Sequence, residues 1–383
     1  MIYLNNAATS HPKPIEVIEE INKYIKSVPF HSSRTGLDFQ QIDIIQTCRE
    51  NIRNFFNIGS INNIIFTSGA TESLNLAING LDLSNKHVIS TTTEHNSVIR
   101  PLKHLEKDGE IELTFIHSDK YGYVDTEKIK NCIKENTKVI IINHCSNVTG
   151  SIQDIDSISK IAKNNNIILI VDASQSAGII PIDVKKLNID LLAVTGHKSL
   201  YGLAGIGFLY ISDKINLKAL KYGGTGIKSS LLYQPEERPL YYEAGTLNLA
   251  GIVSLNAGIS FIQKTGIKKI ENKKISHINR IINEIKNLKN IKIYCNIDNQ
   301  NRIPILSFNI KNINPNEIGY ILESSFNIIS RSGLHCAPLI HKDIGSYPEG
   351  NVRISPSYFT KDDEIDIFID AIIKIHSQLN SAK

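Results

Sequence analysis

Short apolar runs alternate with helix-like segments along the first two thirds of the chain. Between two of these runs, residues 156–163 repeat apolar positions at helical spacing, with Ile158, Ile161 and Ala162 on one face. Strands that alternate with helices predict βαβ units and a mostly parallel, covered α/β sheet. The predicted strands are residues 64–66, 87–90, 112–116, 138–142, 167–171, 190–194 and 207–211. The last of them follows its neighbour closely, which permits an antiparallel direction.

A smaller α+β pattern follows. Helical spacing covers residues 251–264, strands are predicted at 305–310 and 351–355, and a closing helix runs from Asp362 to about Leu379. We therefore predict a second, smaller unit in the last third of the chain.

The length of 383 residues exceeds the size at which one hydrophobic core stops growing, so two domains are expected. We place a large domain at residues 14–250, with a mostly parallel seven-stranded sheet, and a small α+β domain at 251–383. The N-terminal segment 1–13 is expected to pack on the small domain.

Composition excludes several classes of protein. The net charge of +4 is small and the lysines are scattered, which argues against a nucleic-acid surface. We find no apolar run long enough to span a bilayer and no secretory signal, so we expect a cytoplasmic protein without a membrane partner. The cysteines are odd in number and widely spaced, which argues against disulfides and against a metal site. They are Cys48, Cys132, Cys145, Cys295 and Cys336.

Two polar side chains follow neighbouring predicted strands. Asp172 comes directly after the strand at 167–171, and Lys198 follows the strand at 190–194 in the tripeptide Gly-His-Lys. In open α/β sheets, ligands bind at the carboxyl ends of strands. Pyridoxal phosphate needs a lysine for its Schiff base and an acidic partner for its pyridine nitrogen. This pair therefore predicts a pyridoxal phosphate site, although either residue alone is more often a solvated loop residue.

A phosphate site is predicted at residues 68–73 (SGATES), where a small-residue turn opens a helix after the strand at 64–66. A capping box that uses Glu72 is the alternative. Thr195 and His197, beside Lys198, could neutralise and orient the same phosphate. The glycines at 202–207 have the wrong spacing and precede a strand, so we reject a dinucleotide fingerprint.

Two further predicted strands end in polar residues. His95 could stack on a cofactor ring or act as an acid or base, but a surface or capping histidine is the simpler interpretation in isolation. Asn147 could donate to a ring oxygen, and a simple turn is its alternative.

Cys336 lies in the run RSGLHCAP at 331–338, between a strand-like stretch and a loop predicted to reach Gly350. Arg331 and His335 could favour its thiolate. Arg353 occupies an otherwise apolar strand, where arginine is usually paired. A substrate carboxylate and a structural salt bridge are both possible partners.

In this order, the segments resemble the cysteine desulfurase/selenocysteine lyase family of class V aminotransferases. The similarity runs from residues 3–9 (YLNNAAT) to residues 351–353 (NVR). It implies a fold-type I pyridoxal phosphate enzyme that works as a homodimer. The run at 331–336 looks more like the branch with a short, ordered catalytic loop, although residues 339–350 are longer than is typical there.

The resemblance also implies a role for each candidate residue. Lys198 would hold the cofactor, Asp172 would pair with its pyridine nitrogen, and Gln175 would contact its ring oxygen. His95 would stack on the ring and transfer protons. The cofactor phosphate would be held by Ala70, Thr71, Thr195 and His197, joined by Thr246 of the partner subunit. Asn147 and Arg353 would bind the substrate, and Cys336 would accept its sulfur.

From these roles we predict a cysteine desulfurase that converts L-cysteine to L-alanine and leaves a persulfide on Cys336 for a sulfur-acceptor protein. Selenocysteine lyase activity on L-selenocysteine is one alternative. Another is an aminotransferase or other class V lyase, in which Cys336 would have no role. A catalytically weak protein that delivers sulfur is a third, but all the expected catalytic residue types are present.

Overall fold

The computed structural model describes residues 1–27, 44–298 and 301–381. Its first elements are the short strand β1 (Ile2–Tyr3) and the helices α1 (Ile15–Lys26) and α2 (Ile44–Phe56), followed by a 3₁₀ turn at Ile61–Asn63. Both helices are amphipathic. Val17 of α1 and Ile52 of α2 are buried in the same core.

A large sheet comes next along the chain. Its strands are β2 (Ile64–Thr67), β3 (Lys86–Thr91), β4 (Ile111–Ile116), β5 (Thr137–Asn143), β6 (Ile168–Asp172), β7 (Leu191–Thr195) and β8 (Gly207–Ile211). Helices α3 (Ala70–Gly80), α4 (Asn96–Lys107), α5 (Thr126–Asn131) and α6 (Ile155–Asn164) alternate with the first of these strands. Strands β5 to β8 are buried almost throughout, because helices and loops cover both faces.

The seven strands lie in the order β2-β8-β7-β6-β5-β3-β4. Strand β8 is antiparallel to both of its neighbours, whereas β7, β6, β5, β3 and β4 pair in parallel. The prediction of a mostly parallel seven-stranded sheet is therefore confirmed. The antiparallel direction allowed for residues 207–211 is observed as well.

The C-terminal part of the chain has the expected mixture of helices and short strands. Its helices are α7 (Leu249–Thr265), α8 (Ile267–Ile285), α9 (Pro315–Phe326), α10 (Ile340–Asp343) and α11 (Asp362–Ser381). Its strands are β9 (Ile291–Ile293), β10 (Leu306–Ile310), β11 (Ile328–Ile329), β12 (Arg331–Gly333) and β13 (Asn351–Ile354). Strands β12-β13-β10-β9 form an antiparallel sheet, and β11 pairs in parallel with β1.

The division of the chain into domains stays a proposal. Helix α7 buries Ile252 and Leu255 in the same core as Ile52 of α2, so its packing favours the large unit. At the other end, Leu4 shares a core with Phe308 of the small sheet. This contact supports the proposed position of segment 1–13. In the described part of the chain, the helices are all too short or too polar to cross a bilayer.

Candidate active site

A cavity of about 320 Å³ opens at the carboxyl edge of the large sheet. Strand β6 ends at Asp172, Lys198 follows β7, and His95 follows β3, so parallel strands bring these three side chains to one place. The cavity is lined by the predicted residues Ala70, Thr71, His95, Asn147, Asp172, Gln175, Thr195, His197, Lys198 and Arg353. Cys336 and Thr246 lie outside this lining.

Asp172 and Lys198 form the charged centre of the cavity. The Ser174 N–H and hydroxyl both donate to Asp172 Oδ1, at 2.8 and 2.5 Å, and orient the carboxylate. Burial lowers the pKa of Lys198 to about 8, while the charge of Asp172 acts in the opposite direction. A substantial fraction of the amine is therefore neutral, and nucleophilic, near physiological pH.

One end of the cavity suits an anion. Helix α3 begins at Ala70, and the N–H groups of its first turn have no acceptor within the helix. His197 Nδ1 is buried without a hydrogen-bond partner among the described residues. The capping box considered above is only partly formed, since Glu72 Oε2 accepts from the Ser68 N–H at 2.7 Å but the N-cap Gly69 has no side chain to donate or accept in return. Capping and anion binding are compatible here.

His95 is the N-cap of α4 and also lines the cavity. Its Nδ1 accepts from the Ser97 N–H at 3.0 Å, so a neutral ring carries its proton on Nε2. Burial, followed by the charge of Lys198, lowers the pKa of His95 to about 4. His95 is therefore a neutral imidazole that can donate a hydrogen bond through Nε2.

Two amide side chains of the cavity are tied to neighbouring backbone. Gln175 Nε2 donates to the Ala7 carbonyl at 3.1 Å, which joins it to the N-terminal segment. Asn147 Nδ2 donates to the His335 carbonyl at 2.7 Å. Asn147 Oδ1 is buried and has no partner in the described part of the chain, so an acceptor is left for a ligand.

Arg353 is a buried cation that has no carboxylate partner among the described residues. It is 1% exposed, and it donates from Nη1 to the Asn147 carbonyl at 2.8 Å and from Nη2 to Asn5 Oδ1 at 3.3 Å. Its Nε is unpartnered among the described residues. Burial lowers the pKa of Arg353, yet guanidinium stays protonated in proteins. The structural salt bridge considered above is therefore absent within the described ranges.

Cys336 is linked to the cavity by a hydrogen bond from Arg331. Arg331 lines the cavity, and its Nη2 donates to Cys336 Sγ at 3.2 Å. The Cys336 carbonyl accepts from the Asn96 N–H at 2.7 Å, so the backbone of Cys336 is fixed against the start of α4. Both Cys336 and the preceding residue have a positive φ, a conformation that the surrounding contacts must hold.

Two expectations about this segment need correction. The residues around Cys336 are not one continuous loop, because Arg331–Gly333 pairs with β13 as β12 and Ile340–Asp343 forms α10. His335 is not a cation beside the sulfur, because it is buried and its Nε2 contacts Asn351 Oδ1 at 2.8 Å. Burial holds the pKa of His335 well below its usual value, so His335 does not supply positive charge beside the sulfur, and Arg331 is the cation in direct contact with Cys336 Sγ.

The N-terminal segment was not assigned to the site from the sequence. Ala7 and Ala8 line the cavity, and Asn5 contacts Arg353. Thr9 Oγ1 and the Ser10 N–H both donate to the His197 carbonyl, at 3.1 and 3.0 Å. The segment has no apolar period, and only its similarity to a family motif marks it in the sequence.

Comparisons with known proteins identify the family to which the chain belongs. Residues 2–368 match the model of the family described as aminotransferase class-V. The chain belongs to the class-V aminotransferase family. Within it, the chain is 31% identical to a probable cysteine desulfurase of Methanothermobacter thermautotrophicus, over 98% of this chain and 94% of the relative. It is 32% identical to the cysteine desulfurase IscS of Vibrio campbellii, over 97% and 91% of the two chains.

A solved structure supports the same assignment of fold. The apo structure of a cysteine desulfurase from Thermococcus onnurineus NA1 superposes with a TM-score of 0.92 at 30% identity, and covers 98% of this chain and 95% of that chain. The family resemblance and the fold class predicted from the sequence are confirmed. This class-V family member therefore has the fold of the cysteine desulfurases.

Proposed function

We propose that the protein is a pyridoxal phosphate-dependent cysteine desulfurase, which converts L-cysteine to L-alanine and leaves sulfur on Cys336 as a persulfide. The observation that carries the proposal is the Arg331–Cys336 contact beside a cavity that contains Lys198 and Asp172. A cation next to a thiol favours the reactive thiolate. An aminotransferase reaction needs no thiol at this position.

The cavity fits pyridoxal phosphate by the chemistry of its donors. The Asp172 carboxylate suits a protonated ring nitrogen, and the Lys198 amine suits the aldehyde. The start of α3, with Thr195 and His197, suits the phosphate. When bound, the cofactor withdraws electrons from the α-carbon of an amino acid.

Arg353 is the proposed binding residue for the substrate carboxylate. A carboxylate would neutralise its buried charge and fill its free Nε, and Asn147 Oδ1 would accept from a polar group of the same substrate. Lys198 then moves the proton at the substrate α-carbon, because its amine is partly neutral near pH 7. His95 donates from Nε2 and holds the ligand in place.

Cys336 carries out the sulfur transfer. Its thiolate attacks the substrate sulfur, an S–S bond forms, and the Cβ–S bond breaks with its electron pair left on the carbon side. A proton delivered to that carbon and a proton returned by Lys198 to the α-carbon complete L-alanine, and Cys336 retains the sulfur as a persulfide. An external thiol of an acceptor protein then takes the sulfur.

A homodimer that shares its active sites is part of the proposal. Leu232 and Tyr233 are 96% and 89% exposed, and they belong to a segment that also exposes Ile227. The Gly245 N–H donates to the Gly224 carbonyl, which ties the exposed Thr246 to this segment. Clustered exposed apolar residues usually mark a protein contact, and a second copy of the chain would cover them.

We also propose that the protein works in the cytoplasm. All five cysteines are free thiols, including Cys48 and Cys145 in buried positions. Free thiols persist in a reducing compartment, and a persulfide on Cys336 requires that its sulfur is not already in a disulfide.

The proposal is tested by substrate comparison. The purified holoenzyme is assayed side by side with L-cysteine, L-selenocysteine, and an amino acid plus a keto-acid acceptor, and Cys336→Ala is assayed in parallel. We expect alanine and a Cys336 persulfide from cysteine, and loss of both in the variant. Cys132→Ala, which removes another partly exposed cysteine, is the matched control.

Three results would contradict the proposal. The first is cysteine desulfuration that persists without Cys336. The second is turnover of selenocysteine alone, which would favour the lyase alternative. The third is transamination by wild type and Cys336→Ala at equal rates, which would favour an aminotransferase.

A further inference from the structure

Asp343, at the end of α10, connects the segment that follows Cys336 to the large sheet by hydrogen bonds of its carboxylate. We propose that Asp343 is a positioning residue for Cys336, which holds the nucleophile-bearing segment against the carboxyl ends of β3 and β4. The inference rests on the proposed function, because it assigns the geometry of the sulfur-accepting residue.

Both carboxylate oxygens of Asp343 have hydrogen-bond partners. Its side chain is 7% exposed. Oδ2 accepts from the Ser118 N–H at 3.0 Å, from the Ser118 hydroxyl at 3.1 Å and from the Thr92 hydroxyl. Oδ1 lies 2.7 Å from His117 Nδ1. Since Thr92 follows β3 and both His117 and Ser118 follow β4, one carboxylate joins α10 to two strand ends.

The loop between β3 and α4 is held from two sides by the Cys336 segment. Asp343 contacts the loop at Thr92, and the Cys336 carbonyl accepts from the Asn96 N–H at 2.7 Å. His95 lies between these two contacts. Loosening of Asp343 would therefore change the placement of Cys336 relative to His95 and the cavity.

Apolar packing supports the rest of the segment. Ala337, Ile340 and Ile344 are buried together with Val148 and Tyr294. These contacts are not directional, whereas the hydrogen bonds of Asp343 fix where α10 lies along the sheet edge. Removal of the carboxylate is thus expected to leave the segment packed but poorly placed.

The test compares Asp343→Ala and Asp343→Asn with wild-type holoenzyme. Asp156→Asn, which alters an exposed aspartate paired with Lys160, is the control. The measurements are kcat and KM for L-cysteine, cofactor absorbance, and hydrogen exchange of peptides that cover residues 337–347. Because small misplacements of a reacting group lower rates steeply, we expect Asp343→Ala to lose about ten- to a hundredfold in kcat.

A positioning role predicts a specific combination of results. KM and cofactor absorbance stay within about twofold of wild type, because Arg353 and the cofactor residues are untouched, while exchange in 337–347 speeds up. Asp343→Asn keeps one acceptor oxygen, so its kcat should lie between those of the wild type and Asp343→Ala.

Wild-type kcat in Asp343→Ala overturns the inference, and so does an equal loss of cofactor from both variants. If Asp343→Ala does not fold, Asp343→Asn decides: a lower kcat at unchanged KM supports the inference, and an unchanged kcat overturns it. Absence of desulfuration in the wild type would instead contradict the proposed function.

Discussion

Arg331 and Arg353 lie directly opposite each other in the antiparallel register of β12 and β13. Like charges in this position destabilise a strand pair, and Arg353 has no carboxylate partner in the described part of the chain. The arrangement is understandable if each cation has a partner of its own. Cys336 Sγ accepts from Arg331, and we propose a substrate carboxylate for Arg353.

Arg331→Met should slow alkylation of Cys336. The variant keeps much of the side-chain length but removes the donor to Sγ, and a hydrogen bond to a charged group contributes about 1.5–3 kcal/mol. We expect iodoacetamide to modify Cys336 at least about tenfold more slowly at pH 7 in the cofactor-free protein. Mass spectrometry follows the modified peptide, with Cys132 as internal reference. An unchanged rate would show that Arg331 does not activate the thiol.

Arg353→Ala should raise the KM for L-cysteine by about ten- to a hundredfold, because a charge-assisted contact to the carboxylate is lost. Cofactor absorbance should be unchanged. Arg353→Lys retains the charge but not the bidentate geometry, so its KM should lie between those of the wild type and Arg353→Ala. An unchanged KM in a folded Arg353→Ala protein would mean that Arg353 serves only its contacts to Asn147 and Asn5.

Much of the fold could be predicted because the large sheet is covered on both faces. Strands β5 to β8 are therefore nearly continuous apolar runs, and the predicted bounds of all seven strands agree with the structure within one residue. Helix α8 was not predicted, although Ile278, Ile281 and Ile285 repeat at helical spacing. The pairing of β1 with β11 could not be predicted, since two-residue strands carry no period.

The candidate site shows the limit of local patterns. Strand ends predicted that Asp172, Lys198 and His95 lie close together, and all three line one cavity, because the carboxyl ends of parallel strands meet at one edge. The positions of Cys336 and Asn5 depend on how the small sheet packs on that edge. Likewise, the burial of His335 is a tertiary property, so its sequence position beside Cys336 suggested a charge that the fold removes.

Lys198 should react with acylating reagents at unusually low pH. In the cofactor-free protein its pKa is lowered to about 8 by burial, so its neutral fraction is already high at pH 8. Competitive acetylation, read by mass spectrometry across pH 6–11, should reach half its maximum for Lys198 near pH 8. A lysine model peptide should do so near its ordinary pKa of about 10.4. A Lys198 midpoint equal to that of the peptide would show that burial does not lower the pKa of Lys198.

The buried Arg49–Glu243 pair should be important for stability. Arg49 Nη2 lies 2.5 Å from Glu243 Oε2, and Glu243 Oε1 accepts from the Phe66 N–H at 2.6 Å. Glu243→Ala leaves an unpaired buried cation, which typically costs about 3–5 kcal/mol of unfolding free energy. Urea denaturation measures this loss, and the exposed pair variant Lys160→Ala should change stability by less than about 1 kcal/mol. Similar losses in both variants would be inconsistent with this account.

Sharing of active sites across a homodimer can be tested by mixing damaged protomers. Thr246 is exposed in one chain and lies outside its cavity, and we propose that it contacts the cofactor phosphate of the other subunit. Lys198→Ala and Thr246→Ala homodimers should each have little activity. In a heterodimer, one site then carries both changes and the other carries neither. Random pairing at equal amounts should restore about a quarter of wild-type activity.

The alternative arrangement gives a different result in the same experiment. If Thr246 serves the site of its own subunit, each heterodimer site carries one change and mixing restores nothing. Size-exclusion chromatography with light scattering must show dimers in every sample, since a monomeric wild type already contradicts the shared site. Full cofactor retention and activity in the Thr246→Ala homodimer would also show that Thr246 is not part of the site. Loss of a phosphate contact should weaken cofactor binding.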